Sequence, residues 1–145
     1  MTDCSWKSRL QNLGLLVLRV LIGYGIAQHG WEKMMGDMPG FAQGVVAGKM
    51  GLPYPLFFAW ADALAEGVGG ILLALGLLTR VAAFFILCAM GTAFFVFHAA
   101  DPWNAKELAF LYGSAALSLI MTGGGCYSLD ALLFCCKKKE GAIGL

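Results

Sequence analysis

The stretch "LGLLVLRVLIGYGIAQHGWEKMMG", residues 13–36, decides the fold class of this chain. It is apolar along most of its length, yet it contains Arg19, His29, Glu32 and Lys33. A helix needs about 20 mostly apolar residues to cross a bilayer. The stretch therefore predicts a membrane-spanning helix over residues 13–35. Its ionisable side chains predict that one face of this helix is buried against other helices, because charges are rarely left in contact with lipid.

The composition of the whole chain agrees with a membrane location. Hydrophobic residues make up 59% of the 145 residues and charged residues only 13%, whereas a soluble domain is about a quarter charged. The mean hydropathy is +0.74. The formal net charge of +1 gives no reason to expect a nucleic-acid partner. We expect the lipid bilayer to be the main surrounding of the chain, and leave its oligomeric state open.

Further apolar segments predict three more spans, at about 56–78, 81–100 and 107–122. Only Thr79 and Arg80 separate the second span from the third, so these two helices should form a tight antiparallel hairpin. The predicted fold is an all-α integral membrane four-helix bundle. Its parts are a short segment at 1–12, the bundle at 13–133 and a tail at 134–145.

Positive residues suggest how the bundle lies in the membrane. Lys7 and Arg9 precede the first span, Arg80 lies in the second turn, and three lysines at 137–139 follow the fourth span. With four spans all these sites fall on one side, which the positive-inside rule makes cytoplasmic. We therefore expect both termini in the cytoplasm and a location in a bacterial inner membrane. The loop 36–54 should contain a short surface helix, and Ser128 should cap a short helix at the interface.

A helical wheel groups the polar residues of three spans into stripes. In the first span Arg19 and Lys33 share a face, and in the second Asp62 and Glu66 do. In the fourth span the stripe consists of Glu107, Ser114 and Ser118. From the depth of each residue we predict a buried ion pair between Arg19 and Glu66, because an unpaired charge inside a bilayer is costly.

Several other polar residues gather in the outer half of the predicted bundle, and we expect them to line an interior cavity: His29, Lys33, Asp62, His98, Asp101 and Glu107. A quinone would need a hydrogen-bond donor for its carbonyl oxygen and a route for protons. The candidate donors are His29, Lys33 and His98, and Trp60 could stack on the ring. The candidate catalytic carboxylates are Glu66, Glu107 and Asp62. His29 and His98 could instead bind a metal or a haem, although they lack a local ligand spacing.

The cysteines carry little signal of their own. The chain has Cys4, Cys88, Cys126, Cys135 and Cys136, with no C-x-x-C pair, which argues against a disulfide framework. We expect Cys88 to pack among apolar neighbours. Cys135 and Cys136 precede three lysines, and they are either free thiols at the membrane edge or sites of lipidation.

Six segments together resemble the DoxX family of small membrane proteins: "LRVLIG" at 18–23, "HGWEKMMG" at 29–36, "GLPYP" at 51–55, "AEGVGGILLALGLLTRVAA" at 65–83, "HAADPW" at 98–103 and "YSLDALL" at 127–133. The resemblance implies a four-helix membrane bundle and a link to membrane redox chemistry, since founding members are similar to a subunit of a thiosulfate–quinone oxidoreductase. The family pattern falls on Arg19, His29, Gly30, Lys33, Glu66, Gly70, Thr79, Arg80, His98 and Glu107.

These observations leave three functions open. The first is a quinone-interacting membrane subunit of an oxidoreductase that acts in thiosulfate, thiol or oxidative-stress chemistry, with a soluble or membrane partner subunit. The second is a non-catalytic scaffold or assembly factor for a redox or metal enzyme. The third is a transporter of a small solute or metal, although a transporter would usually show repeated halves and broken helices.

Overall fold

The computed structural model describes the backbone of residues 3–135 and the side chains of residues 6–133. The alternatives for the Cys135 and Cys136 side chains, and the role of the lysine tail in the orientation, therefore lie outside the described residues. The described chain is helical and has no strands. Its elements in order are α1 (Asp3–Met35), α2 (Met38–Phe41), a π-helix (Ala42–Lys49), α3 (Pro55–Leu75), α4 (Thr79–Thr92), a second π-helix (Ala93–Phe97), α5 (Trp103–Thr122) and α6 (Leu129–Cys135).

Three helical segments of the described chain are long and apolar enough to cross a membrane: Trp6–Met35, Pro55–Leu75 and Thr79–Phe97. They match the first three predicted spans, although α1 begins at Asp3 rather than near residue 13. The helix α5 has 20 residues and packs beside α4, but it is not among these three segments. The all-helical membrane architecture is therefore confirmed, while the fourth span stays a prediction.

Small residues let α1 and α3 approach closely. A Cβ atom placed at Gly70 would lie 2.6 Å from the carbonyl oxygen of Gly23, and one at Gly30 would lie 2.7 Å from the carbonyl oxygen of Ala63. Side chains of any size would push the two backbones apart. Such small-residue contacts are typical of helix pairs in membranes, where close packing rather than water exclusion holds helices together. The buried face of α1 includes Arg19, as the wheel predicted, and also Ile26.

The predicted stripe of α5 is wrong. Glu107, Ser114 and Ser118 are exposed, and the buried face of α5 consists instead of Ala109, Gly113, Ala116 and Leu119. The serines do not need a partner helix, because each hydroxyl donates to a carbonyl oxygen of its own helix. Ser114 Oγ lies 2.7 Å from Phe110 O, and Ser118 Oγ lies 2.9 Å from Ser114 O.

The hairpin between α3 and α4 is held by the start of α6. Asp130 accepts hydrogen bonds from the backbone amides of Leu78 and Thr79, at 2.7 and 2.9 Å, and from Thr79 Oγ1 at 2.8 Å. These bonds satisfy amides at the start of α4 that have no partner within the helix. Ser128 caps α6, as predicted: its Oγ accepts from the amide of Ala131 at 3.1 Å. The same end of the molecule thus joins the α3–α4 turn to α6.

The predicted ion pair between Arg19 and Glu66 is wrong. Arg19 is 1% exposed, and its guanidinium donates to the carbonyl oxygen of Gly124 at 3.1 Å and to that of Tyr127. Its neighbour just after the end of α3 is Gly76, ten residues beyond Glu66, which is about 15 Å along a helix. The backbone carbonyls at 124–127 therefore take the place that the prediction gave to a carboxylate.

Candidate functional site

A cavity of about 470 Å³ lies at the end of the bundle opposite to Arg19. Its walls come from α1, α3, α4, the second π-helix and α5. A further wall is formed by residues 38–49, which comprise α2 and the first π-helix and which we call the cover helix. The apolar lining includes Phe41 and Val46 of the cover helix, Phe58, Met90 and Leu108. The predicted surface helix in loop 36–54 is therefore present, and it forms one wall of this cavity.

A lysine and two carboxylates form an ion cluster in the cavity wall. Lys33 Nζ lies 2.6 Å from Asp62 Oδ2 and 2.6 Å from Glu66 Oε2. The Glu66 side chain is only 4% exposed, whereas those of Lys33 and Asp62 are about one quarter exposed. The Lys33–Asp62 contact is a hydrogen bond, but the Glu66 contact has the distance of an ion pair without favourable hydrogen-bond angles. We treat it as an ion pair, because its attraction depends on distance.

A second polar group lies at the rim of the cavity. His98 Nδ1 lies 2.8 Å from Asp101 Oδ2, and Lys49 Nζ lies 3.0 Å from the same oxygen. Lys49 also lies 4.0 Å from the centroid of the Phe97 ring, within the range of a cation–π contact. The hydrogen bonds from Lys49 and His98 lower the pKa of Asp101 below its ordinary value. The contact joins the cover helix to the α4–α5 connection.

His29 lies in the wall formed by α1 and faces α5. Its ring makes an edge-to-face contact with the Tyr112 ring, with centroids 5.9 Å apart. Tyr112 also approaches Gly25, where a side chain would collide with the phenol oxygen. A small residue at this position of α1 therefore leaves room for an aromatic partner beside His29.

The cavity brings together most of the predicted site residues but not all of them. His29, Lys33, Asp62, Glu66 and His98 all line it. Trp60 does not line it, and neither does Glu107. Both are exposed on the outer surface of the bundle, because each points away from the neighbouring helices.

The described side chains do not support a histidine metal centre. Within residues 6–133, no group of three or more His, Cys, Asp or Glu side chains is arranged to hold a metal ion. Several polar groups of the cavity are instead paired, Lys33 with two carboxylates and His98 with Asp101.

Sequence reasoning missed several contributors to the cavity. Tyr112, which lines the cavity, and Lys49, which holds Asp101 beside it, were not singled out. Cys88, expected to be packed, is exposed on the cavity wall. Both π-helical segments, Ala42–Lys49 and Ala93–Phe97, contribute to the lining. π-Helical turns are rare and are frequent at functional sites. The one signal in the sequence was the position of Lys49, a lone cation in an otherwise apolar loop.

The arrangement suits an amphiphilic ligand. Most binding pockets for small molecules have volumes of about 300–1,000 Å³ and apolar walls with a few placed polar groups. Here the walls are apolar, and the polar groups are ion-paired carboxylates and a histidine held by a carboxylate. Such groups can bind hydroxyl or carbonyl oxygens and can take up or release protons.

The chain matches known families and proteins along most of its length. The family model described as DoxX matches residues 14–99, and the one described as "TQO small subunit DoxD" matches residues 62–143. The protein named "Putative oxidoreductase CatD" from Bacillus subtilis is 35% identical over 128 residues, which cover 88% of this chain and 92% of that protein.

Two further relatives have similar coverage. "Inner membrane protein YqjF" of Escherichia coli is 32% identical over 130 residues, covering 86% of this chain and 95% of that protein. An uncharacterized protein of Haemophilus influenzae is 32% identical over 127 residues, covering 83% of this chain and 90% of that protein. No solved structure matches the chain. Because the DoxX model spans more than half of the sequence, this chain belongs to the DoxX family of membrane proteins.

Proposed function

We propose that the chain is a quinone-interacting membrane subunit of an oxidoreductase. The observation that carries this proposal is an apolar cavity of about 470 Å³ with a partly buried Lys33–Asp62–Glu66 cluster in its wall. A quinone has the matching chemistry, since it joins a polar redox ring to an apolar chain. The name of the Bacillus subtilis relative and the subunit named by the DoxD model support an oxidoreductase with a partner subunit.

The residues of the cavity have distinct roles in this proposal. A bound quinone would supply two-electron, two-proton redox chemistry at a site inside the membrane. The apolar wall, with Phe58 and Met90, holds the ring and keeps water out. Asp62 and Glu66 hold or release protons at their carboxylate oxygens, and His98 with Asp101 offers a proton path to the rim. Lys33 keeps the two carboxylates together.

The same proposal includes four spans with both termini in the cytoplasm. The end with Lys7, Arg9 and Arg80 is more basic than the end with the cover helix, and the positive-inside rule favours a cytoplasmic location for it. The 20 residues of α5 are about 30 Å long, enough for the hydrocarbon core of a bilayer. Under this orientation the cavity lies in the outer half of the membrane.

The test extracts the lipids that copurify with the wild type and with two matched variants, and compares their quinone content. Ala61 lines the cavity, and Val68 is exposed on another face of the same helix. Ala61→Phe should fill part of the cavity and remove a quinone from the organic extract of the purified protein, whereas Val68→Phe should leave the wild-type amount. If wild-type protein yields no quinone after expression in a quinone-producing host, and binds none when titrated, the quinone role is rejected and the scaffold function is favoured.

A further inference from the structure

The donors and acceptors of the cavity indicate which form of a ring ligand it prefers. Lys33 is the cation of the cavity wall, and its Nζ lies 2.6 Å from carboxylate oxygens of both Asp62 and Glu66. The same nitrogen lies 5.6 Å from the centroid of the Phe41 ring, within cation–π range. An ammonium group has three N–H bonds. The two carboxylates present four acceptor oxygens to these three bonds, so the cluster offers a ligand more acceptors than donors.

The carboxylates of the same cluster have acceptor capacity to spare. One lysine cannot neutralise two carboxylates, so the cluster carries one formal negative charge. Glu66 Oε2 is buried and has no hydrogen-bond donor in favourable geometry among the described side chains. A buried acceptor without a donor is unfavourable, and a ligand hydroxyl would relieve this.

His98 adds a second acceptor at the rim. Its Nδ1 lies 2.8 Å from Asp101 Oδ2, and because an ionised carboxylate only accepts, Nδ1 must donate. In the neutral ring Nε2 is then an acceptor. Lys49 holds Asp101 from the cover helix, with its Nζ 3.0 Å from the same carboxylate oxygen. Lys49 and Asp101 are therefore positioning residues that act through His98.

We propose that the cavity binds the reduced, hydroxyl-bearing form of its ring, a quinol, more tightly than the oxidised quinone. This inference rests on the proposed function and reverses the expectation that Lys33 and His98 serve as donors to a carbonyl oxygen. Tighter binding of the reduced form raises the reduction potential of the bound couple. A tenfold preference corresponds to about 30 mV for a two-electron couple.

The experiment measures two dissociation constants with protein in phosphatidylcholine nanodiscs. The probes are decylubiquinone and its quinol, the latter kept reduced without oxygen. We expect the wild type to bind the quinol at least about tenfold more tightly. In Glu66→Gln the new amide can donate to a carbonyl, so the preference should fall to near unity. Glu107→Gln is the matched control on the outer surface of α5, and it should keep the wild-type ratio.

The positioning role has its own pair of variants. Asp101→Asn lets the amide donate to Nδ1 of His98, so Nε2 becomes the donor and the preference for quinol should fall several-fold. Asp101→Glu keeps an acceptor for Nδ1 and should restore it. A purely structural role for Asp101 would change the affinity for both probes equally and leave the ratio unchanged.

The outcomes separate the inference from the function on which it rests. If the wild type binds both probes equally, or binds the quinone more tightly, the inference is overturned. A carboxylate of the cluster would then carry a proton, and the proposed quinone site would still stand. Failure of the wild type to bind either probe would reject the proposed function itself. The ratio of the two dissociation constants of the wild type tests the inference even if Glu66→Gln does not fold.

Discussion

Arg19 is almost fully buried, although its guanidinium is charged. It contacts the carbonyl oxygens of Gly124 and Tyr127 and has no carboxylate within salt-bridge distance among the described side chains. Each buried carbonyl left without its donor costs about 1–3 kcal/mol. Arg19→Leu should therefore lower the free energy of unfolding by about 2–5 kcal/mol, whereas Arg19→Lys should lose less. Denaturation in detergent micelles measures the difference, and an unchanged stability of Arg19→Leu would contradict the assignment.

Asp130 gives a pH-dependent prediction. Burial opposes its charge, but hydrogen bonds from Thr79 and Leu78 outweigh burial and lower the pKa of Asp130 below its ordinary value. A lowered pKa in the folded state means that the stabilisation is complete above the ordinary value, about 3.9, and is lost as the pH falls through the folded-state pKa. Asp130→Ala should cost about 0.5–2 kcal/mol at pH 7, as the loss of a helix cap does.

The comparison at low pH completes that prediction. Unfolding curves of wild type and Asp130→Ala should converge as the pH falls below about 4. Asp130→Asn keeps one acceptor oxygen, so its stability at pH 7 should lie between the two. A difference between wild type and Asp130→Ala that is the same at pH 7 and pH 3 would show that the carboxylate charge contributes nothing to the cap.

Single residues show clearly what the sequence could and could not predict. The wheel placed Arg19, Lys33 and Glu66 on buried faces, because the period of a helix fixes which residues share a side. It did not identify their partners. Lys33 rather than Arg19 reaches Glu66, and the partners of Arg19 are backbone carbonyls of a loop more than 100 residues away. Loop conformation leaves no periodic signal in the sequence.

At the scale of helices, the α1–α3 contact depends on glycine. A Cβ at Gly70 would lie 2.6 Å from Gly23 O, so Gly70→Ala should lower the free energy of unfolding by about 1–3 kcal/mol, as overpacking does. A Cβ at Gly14 in α1 would have no neighbour within 4 Å, and Gly14→Ala is the matched control. That change should be neutral or slightly stabilising, because alanine favours helix more than glycine does. Equal effects of both changes would contradict the close packing of α1 and α3.

The helices themselves were more predictable than their faces. Apolar length was enough to locate three spans, and the two-residue turn at Thr79 and Arg80 predicted the hairpin between α3 and α4. The stripe on α5 was wrong because serine can satisfy its hydroxyl within its own helix. Polar residues therefore mark a buried helix face only when their own helix cannot supply the hydrogen bonds that they need. Charged residues such as Lys33 and Glu66 are of this kind.

At the scale of the whole molecule, the cover helix and the α5–α6 connection lie at opposite ends of the bundle. The cover helix contacts Asp101 through Lys49, while the connection at 124–127 contacts Arg19. Cys126 is an exposed free thiol at the second end. Two variants would each keep a single cysteine, either Cys126 or an introduced Gln43→Cys. When an impermeant thiol reagent is added outside intact cells, Gln43→Cys should react, and Cys126 should react only after the cells are opened. Reaction of both from the outside would rule out both the predicted orientation and four spans.

The most direct measurement locates a bound quinone within the protein. A photoactivatable quinone analogue is bound to the wild type in nanodiscs, cross-linked by light and mapped by mass spectrometry, with and without excess decylubiquinone as competitor. We expect competed cross-links at cavity-lining positions of the cover helix and of residues 85–98, with Ala61→Phe reducing them and Val68→Phe leaving them unchanged. Cross-links that are confined to the lipid-facing surface, or that excess decylubiquinone does not reduce, would contradict a quinone site in this cavity.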